Sequence, residues 1–549
     1  VGKHKSWFYK IFLEDKKPYF WILGLGFFVY ARSIFFGFTY LDDHVLILDY
    51  LFFLKDLSNI FRTFTMEVFH ILHASAAYYR PMLTISFMLD AQISGESPYF
   101  YHFTSVVVHL VVSVLVFEFL KRMKFSKKIA FLFSVIFAVH PVLSQAVAWL
   151  PGRNDSLLAL FVLAAFIFFI DYLKDGKRKQ LIWHYVFFAF SLFTKESGTL
   201  LAFMIGLYIL LLERSKPNIK RTLNVSLGWF ILLVIWFFLR SIALGQNPVS
   251  YTLSTAITTV VKNSPAILLY LGKVFFPVNL SVLPTLQDSS LTYGVASLIL
   301  VLLSIIISKK RNNKLMLFGL VWFLVFLLPS FIRPSSEYVP DFIEHRIYLP
   351  IIGLFVVLSE IDFVKRVNFN KTIVTFGTIT LIVTLSALTA LHITNFKDRL
   401  TFWKNAVANS PSHPLAHKNL GAMYYLDGNF DLAEKEFKKS LELNPQEPMI
   451  HNNIGLIYLN KKEFAEAESE FKKELEINPL YDNAFYNWGL LYFQTGKKEE
   501  AEKMWLKTLE INPDHTGAYT NLAAYYAEIG DDVKARVFYY EAVKRGAKF

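Results

Sequence analysis

The chain has 549 residues, 54% of them hydrophobic and 17% aromatic, with 18% charged and 55 Phe. That apolar loading excludes a disordered chain and a single soluble domain, and it is the composition of a membrane protein. With no Cys, disulfides, Cys-ligated zinc, iron–sulfur clusters and thiol nucleophiles drop out, and the formal net charge of +12 does not make a nucleic-acid patch because the basic residues sit mostly between apolar runs.

Taken in chain order, apolar stretches near the ~20 residues that cross a bilayer are predicted at 18–38, 99–120, 129–149, 156–173, 181–194, 198–213, 225–243, 291–308, 315–332, 347–362 and 372–392. Basic clusters mark alternate loops: Lys121 to Lys128, Lys174 to Lys179, Arg214 to Arg221, Lys309 to Lys314, and Lys365 to Lys371. By the positive-inside rule these loops are cytoplasmic, as is the basic start with Lys3, Lys5, Lys10, Lys16 and Lys17. A further apolar segment, about 265–284, carries Lys273 and three prolines. If it spanned, the Lys309–Lys314 loop would be forced outside, so parity favours a re-entrant or interfacial element lining a cavity. The expected fold is all-α: a polytopic domain of about eleven spans plus this re-entrant segment, with the C-terminus outside.

Polar elements then fall on the extracytoplasmic side. The first outside loop opens with Tyr40-Leu41-Asp42-Asp43-His44; Tyr79-Arg80-Pro81 precedes the second span; HPVLSQAVAWLPGRND holds His140, Arg153 and Asp155; Thr194-Lys195-Glu196-Ser197 separates two apolar stretches; EHRIYLP, from 344 to 350, holds Glu344 and Arg346. The adjacent carboxylates Asp42 and Asp43 are read as the catalytic pair, against the alternative of a helix cap or solvated turn. A charge at the centre of a membrane helix costs roughly 2.5–3.5 kcal/mol, less toward the interface, so repeated cations at one face suggest a shared anion. Arg80, Arg153, Lys195 and Arg346 are therefore read as contacts to a lipid phosphate beside a carboxylate base. The competing reading for each is snorkelling or a local ion pair: Arg153 with Asp155, Lys195 with Glu196, Arg346 with Glu344.

From about residue 411 the composition shifts to Lys, Glu, Asn and Tyr, and a repeat can be counted. Pro411, Pro445, Pro479 and Pro513 are 34 residues apart, with Gly421, Gly455, Gly489 and Ala523, and Phe437, Phe471, Trp505 and Tyr539, in phase. The pattern resembles the tetratricopeptide repeat, two antiparallel helices per unit. Asn419, Asn453, Asn487 and Asn521 recur in all four units, although Asn is a poor mid-helix residue. In the fold resembled, that position lies on the concave face, where side-chain amides can bond an extended acceptor peptide; the alternative is a bond to the neighbouring helix.

As an ordered set, the Asp-Asp loop, YRPMLT, HPVLSQAVAWLPGRND, TKES, EHRIYLP and the repeats resemble the transmembrane and tetratricopeptide-repeat-containing protein O-mannosyltransferases and their prokaryotic relatives. The resemblance implies a GT-C glycosyltransferase fold over 1–395, a linker at 396–410, and four extracytoplasmic repeats forming an α-solenoid over 411–549. It also implies transfer of one sugar, mannose or another hexose, from a polyprenyl or dolichyl monophosphate to a hydroxyl outside the cytoplasm, with inversion. The partners expected are the lipid-linked donor as co-substrate, an extended acceptor protein or peptide on the repeats, and membrane lipid. Nucleic acid is not expected. Gln145 departs from the family pattern, which has Glu after His-Pro, and puts any proton-transfer role there in doubt.

A Ser or Thr hydroxyl needs a positioned base, and Asp42 is the first choice with Asp43 orienting it. The leaving lipid phosphate requires no general acid if cations take up the developing charge. No tightly bound cofactor is expected. Metal dependence stays open, since His70 and His73 could join the aspartates around a divalent ion. No GxxxxGK, GxGxxG or HExxH spacing supports ATP hydrolysis, dinucleotide redox chemistry or zincin proteolysis. Two other classes are kept: a polyprenyl-linked glycosyltransferase acting on a glycan or lipid, and a non-catalytic membrane-anchored repeat scaffold.

Overall fold

The computed structural model describes residues 7–69, 78–213, 219–245, 252–332 and 341–547. They divide into two compact units, Val1–Ser410 and Pro411–Phe549, and apart from one isolated bridge between Thr285 and Asp341 the described residues are helices and irregular chain.

In the first unit every predicted apolar stretch contains a helix, but length divides them. Among the described residues six helices are long and apolar enough to cross a membrane: Lys17–Phe35, Pro98–Arg122, Leu150–Asp175, Val225–Leu244, Asn313–Phe331 and Thr372–Phe396. A seventh results if Lys127–Val139 and Pro141–Ala148, bent by 55°, count as one span. The bend falls where Pro141 removes a backbone donor. The stretch near 347–362 holds the nine-residue helix Ile351–Ser359, in which all but Leu358 are buried. Such a segment is apolar because protein surrounds it, and sequence hydropathy does not separate that cause from contact with lipid. The stretch near 265–284 forms the ten-residue helix Ala266–Phe275, a rise of about 15 Å against a hydrocarbon core of about 30 Å, and irregular chain follows to Leu291.

Local chemistry explains where these helices begin and end. Pro81 and Pro98 occupy first-turn positions, where a missing N–H costs nothing. The Ser126 hydroxyl accepts from the Ile129 amide, and the Asn312 side chain accepts from Lys314 and Leu315. Lys121, Arg122 and Lys174 complement C-terminal dipoles. The helices Asn313–Leu327 and Ile351–Ser359 cross at Gly319 and Gly353, where an added Cβ on either would strike the other's carbonyl oxygen; only two glycines permit that backbone approach.

The stretch 396–410, expected as a linker, is packed structure of the first unit. Asp398 caps the helix Arg399–Asn409 by accepting from the Thr401 amide at 2.7 Å, and Phe402, Trp403 and Ala406 are fully buried. Its buried apolar residues, Phe402, Trp403 and Ala406, are too few to stand out beside the spans.

The second unit holds eight helices from Pro414–Leu426 to Asp532–Lys544, two per repeat. A Cβ at Gly421, Gly455 or Gly489 would come within 2.8 Å of Phe437, Phe471 or Trp505 respectively, so the small residue admits the aromatic ring of the paired helix. Each repeat turns between its helices through one left-handed residue: Gly428, Lys462, Gly496 and Gly530, with φ of 76°, 62°, 79° and 77°.

Candidate active site

The Asp-Asp loop follows the turn Ala31–Phe35 and is tied down residue by residue. The Gly37 amide donates to the Lys397 carbonyl at 2.8 Å, and the Trp403 indole donates to the Thr39 carbonyl at 3.1 Å. The Trp149 indole donates to the Leu41 carbonyl at 3.2 Å. Tyr40 and Asp42 both adopt positive φ, 59° and 66°.

The two carboxylates have different surroundings. Asp43 is 1% exposed and accepts from the Thr39 amide at 2.6 Å, the Thr39 hydroxyl at 3.0 Å and the His44 amide at 3.1 Å. Burial raises its pKa, and the bonds from Thr39 oppose that rise. The Asp42 carboxylate receives no hydrogen bond from the described residues. Burial pushes its pKa up to about 6, with Arg80 pulling it down and Asp341 adding to the rise. Asp42 therefore keeps its oxygens available while Asp43 spends its own on the loop.

Around Asp42 stand groups from four other segments. Arg80 stacks over Tyr78 at 4.4 Å, its buried Nε has no hydrogen-bond partner among the described residues, and its charge acts on both Asp42 and Asp155. Lys195 donates to both Asp155 oxygens at 2.8 Å; burial lowers its pKa and Asp155 opposes that. Arg80 and Arg346 also act on Lys195. Arg346 donates to the Asp341 carbonyl at 2.6 Å and lies 3.2 Å from its carboxylate; burial lowers its pKa, and Asp341, Tyr270 and Tyr78 together raise it above the ordinary value. His345 Nε2 is 3.5 Å from Asp155, and its buried Nδ1 has no partner among the described residues.

Arg80, Lys195 and Arg346 thus come together with Asp42, but Arg153 does not. Its guanidinium is fully buried and committed to Asp90, the Ser105 and Ser86 hydroxyls and the Tyr101 carbonyl, which leaves no face for a phosphate. The short-range ion pairs weighed against phosphate contact do not form either. Arg153 takes Asp90, Lys195 takes Asp155, and Glu196 accepts from the Tyr79 amide at 3.1 Å. Glu344 lies in a separate buried group, accepting from Lys273 at 2.6 Å and the Ser281 amide at 2.9 Å beside His392 at 2.9 Å. That group satisfies Lys273, the lysine of the helix Ala266–Phe275. His140 accepts from the Val142 amide and donates to the Val274 carbonyl, a structural role.

Gln145 is fully buried, donates to the Val282 carbonyl at 2.9 Å and accepts from the His345 amide at 3.2 Å. A carboxylate could not make the first of these bonds. Sequence reading missed Asp341 and His345 as members of the cluster; both adjoin or lie within the motif around Arg346, and no periodic signal marks either. Among the described residues no group of three His, Asp or Glu could hold a metal ion, and His70 and His73 lie outside them.

On the repeats, Asn487 is buried and donates to Asn452 at 2.9 Å, and Asn521 donates to the Tyr486 hydroxyl at 3.2 Å. Both therefore bond the preceding repeat. Asn419 and Asn453 are partly exposed, and the Asn453 oxygen accepts from Asn452 at 3.3 Å.

Residues 80–241 match the family described as dolichyl-phosphate-mannose-protein mannosyltransferase, and 414–447, 450–479 and 482–515 match tetratricopeptide repeats. A protein O-mannosyl-transferase of Caenorhabditis elegans is 27% identical over 386 residues, covering 66% of this chain and 54% of that protein. Over 66% of its length the chain is similar to a protein O-mannosyl-transferase. Protein O-mannosyl-transferase TMTC2 of Homo sapiens is 28% identical over 190 residues, 32% of this chain and 23% of that one. The chain thus spans about half, or less, of the length of these relatives. Among solved structures, MamA is 22% identical with a TM-score of 0.24, covering 27% of this chain and 86% of that one, too distant to bear on function.

Proposed function

We propose that the chain is a membrane glycosyltransferase of GT-C type that moves one hexose, mannose by the likeness to its relatives, from a polyprenyl or dolichyl monophosphate to Ser or Thr hydroxyls of extracytoplasmic polypeptides. The observation that carries this reading is a carboxylate, Asp42, that receives no hydrogen bond among the described residues, within electrostatic reach of Arg80, in a cluster that also holds Lys195 and Arg346.

In this reading Asp42 takes the hydroxyl proton as the acceptor oxygen attacks the anomeric carbon, and the bond from that carbon to the phosphate oxygen breaks. Attack from the face opposite the leaving group inverts the anomeric centre. The lipid phosphate leaves with the bonding electrons, and Arg80, Lys195 and Arg346 stabilise its charge. Arg can grip two oxygens, whereas Lys acts as a point charge. The repeats, on the extracytoplasmic side in this reading, hold an extended acceptor along the partly exposed Asn419 and Asn453, while Asn487 and Asn521 tie neighbouring repeats together, and raise its concentration at the base.

The test is transfer of radiolabelled mannose from synthetic polyprenyl-phosphate donors to membrane proteins by the intact chain. Label that disappears with Asp42→Asn supports the reading, and label that falls when the partly exposed Asn419 and Asn453 are changed to Ala supports acceptor capture. Absence of label with every donor, unchanged by Asp42→Asn, would reject it in favour of a scaffold.

A further inference from the structure

We infer that Trp149 and Trp403 are positioning residues that aim the Asp42 carboxylate by holding the carbonyls on either side of Tyr40. The inference rests on the reading of Asp42 as the base.

Because no described group donates to the Asp42 carboxylate, its direction is set by its own backbone. That backbone is in a conformation that residues with a Cβ avoid: Tyr40 and Asp42 both have left-handed φ, at 59° and 66°. Two such residues within three persist only where the surroundings over-determine them. The surroundings here are two indole N–H groups, each a donor with no acceptor alternative. Trp403 holds the Thr39 carbonyl and Trp149 the Leu41 carbonyl, so Tyr40 is pinned from both sides and Asp42 follows directly.

Both anchors are themselves fixed. Trp149 is 3% exposed, and its ring lies 5.3 Å from His345. Trp403 is fully buried in the helix Arg399–Asn409. From that helix the Asn405 side chain accepts from the Val282 amide at 3.2 Å, and Ser410, just past its end, donates to the Leu283 carbonyl at 2.6 Å. Two residues beyond Leu283, Thr285 pairs with Asp341, the partner of Arg346. One helix therefore braces both the loop that carries Asp42 and the segment that carries Asp341.

The experiment compares Trp149→Phe and Trp403→Phe with wild type in the intact chain, using radiolabelled mannosyl-phosphoryl-polyprenol as donor, alongside hydrogen exchange of amides 37–46. Phe keeps the ring and loses only the donor. Each variant should lose about five- to ten-fold in kcat, the equivalent of one hydrogen bond, with donor KM within about two-fold of wild type, and should exchange faster over the loop. Adding Tyr40→Gly to Trp403→Phe should restore kcat, because glycine takes left-handed backbone at little cost. Wild-type kcat in both Phe variants overturns the inference, as does a loss that Tyr40→Gly fails to restore, which would mark the rings as packing groups. Asp42→Asn run in parallel separates the two claims. If it turns over donor normally the catalytic reading fails, and unchanged exchange in the Phe variants then overturns the clamp on its own terms.

Discussion

Lys195 places its ammonium nitrogen 2.8 Å from each carboxylate oxygen of Asp155. The pair neutralises one cation of the cluster in the resting site, and His345 stands 3.5 Å from the same carboxylate. Removing the cation should therefore do more harm than losing one phosphate contact, because Asp155 would then face the donor phosphate uncompensated. Lys195→Met is expected to lower kcat/KM by about 10²–10³. The double variant Lys195→Met with Asp155→Asn should recover part of that loss, and steady-state rates on a polyprenyl-phosphate donor measure both.

The Asp42 carboxyl, raised to about 6 by burial with Arg80 opposing, predicts the pH dependence. A base works ionised, so kcat should rise with pH through about 6 and level off above it, falling to about a tenth of the plateau near pH 5. Asp43 adjoins it, and the Asp42 charge raises the Asp43 pKa, so the limb belongs to the pair. Arg80→Ala removes the charge that favours ionisation and should move the midpoint upward. A pH–rate profile of both proteins tests the assignment, and an unmoved midpoint in Arg80→Ala would argue that another group is the base.

Much of this arrangement was legible in the sequence for identifiable reasons. A 34-residue period needs no three-dimensional knowledge, and small-to-aromatic pairs such as Gly421 with Phe437 follow from one helix pairing repeated. Counting spans grouped the loops of Asp42, Arg80, Lys195 and Arg346 on one face, and the electrostatic coupling of Arg80 with Asp42 and of Arg80 and Arg346 with Lys195 agrees with that grouping, but the same count also grouped Arg153 and Glu344 there, which pair elsewhere. What stayed hidden was the choice of partner. Arg153 selects Asp90, 63 residues away, and Glu344 selects Lys273, 71 residues away, where sequence proximity suggested neighbours. Helix packing decides such pairs. The helix at 399–409 was hidden for a related cause: Trp403 is fully buried and bonds the Thr39 carbonyl of a loop 364 residues away in sequence.

Lys462 tests the repeat unit independently of catalysis. It holds the left-handed position that glycine fills in the other three repeats, with φ of 62°, and a side chain there carries a steric cost that glycine does not. Lys462→Gly should stabilise the repeats by about 0.5–1 kcal/mol. Thermal unfolding of the intact protein, followed by proteolysis within 411–549, reads the change.

Arg153 gives the sharpest separation of structure from binding. Its guanidinium is fully buried and paired with Asp90, itself 2% exposed, so replacing it leaves a carboxylate without its cation in a dry interior. Arg153→Met should cost about 3–5 kcal/mol and lower the yield of folded protein. Arg153→Met with Asp90→Asn removes both charges and should recover much of that stability, because an apolar or neutral pair avoids the desolvation cost. If Arg153 has no share in holding the donor phosphate, the recovered double variant should show wild-type donor KM. A donor KM raised ten-fold or more, about 1.4 kcal/mol, in a protein of normal stability would return Arg153 to the phosphate-binding set.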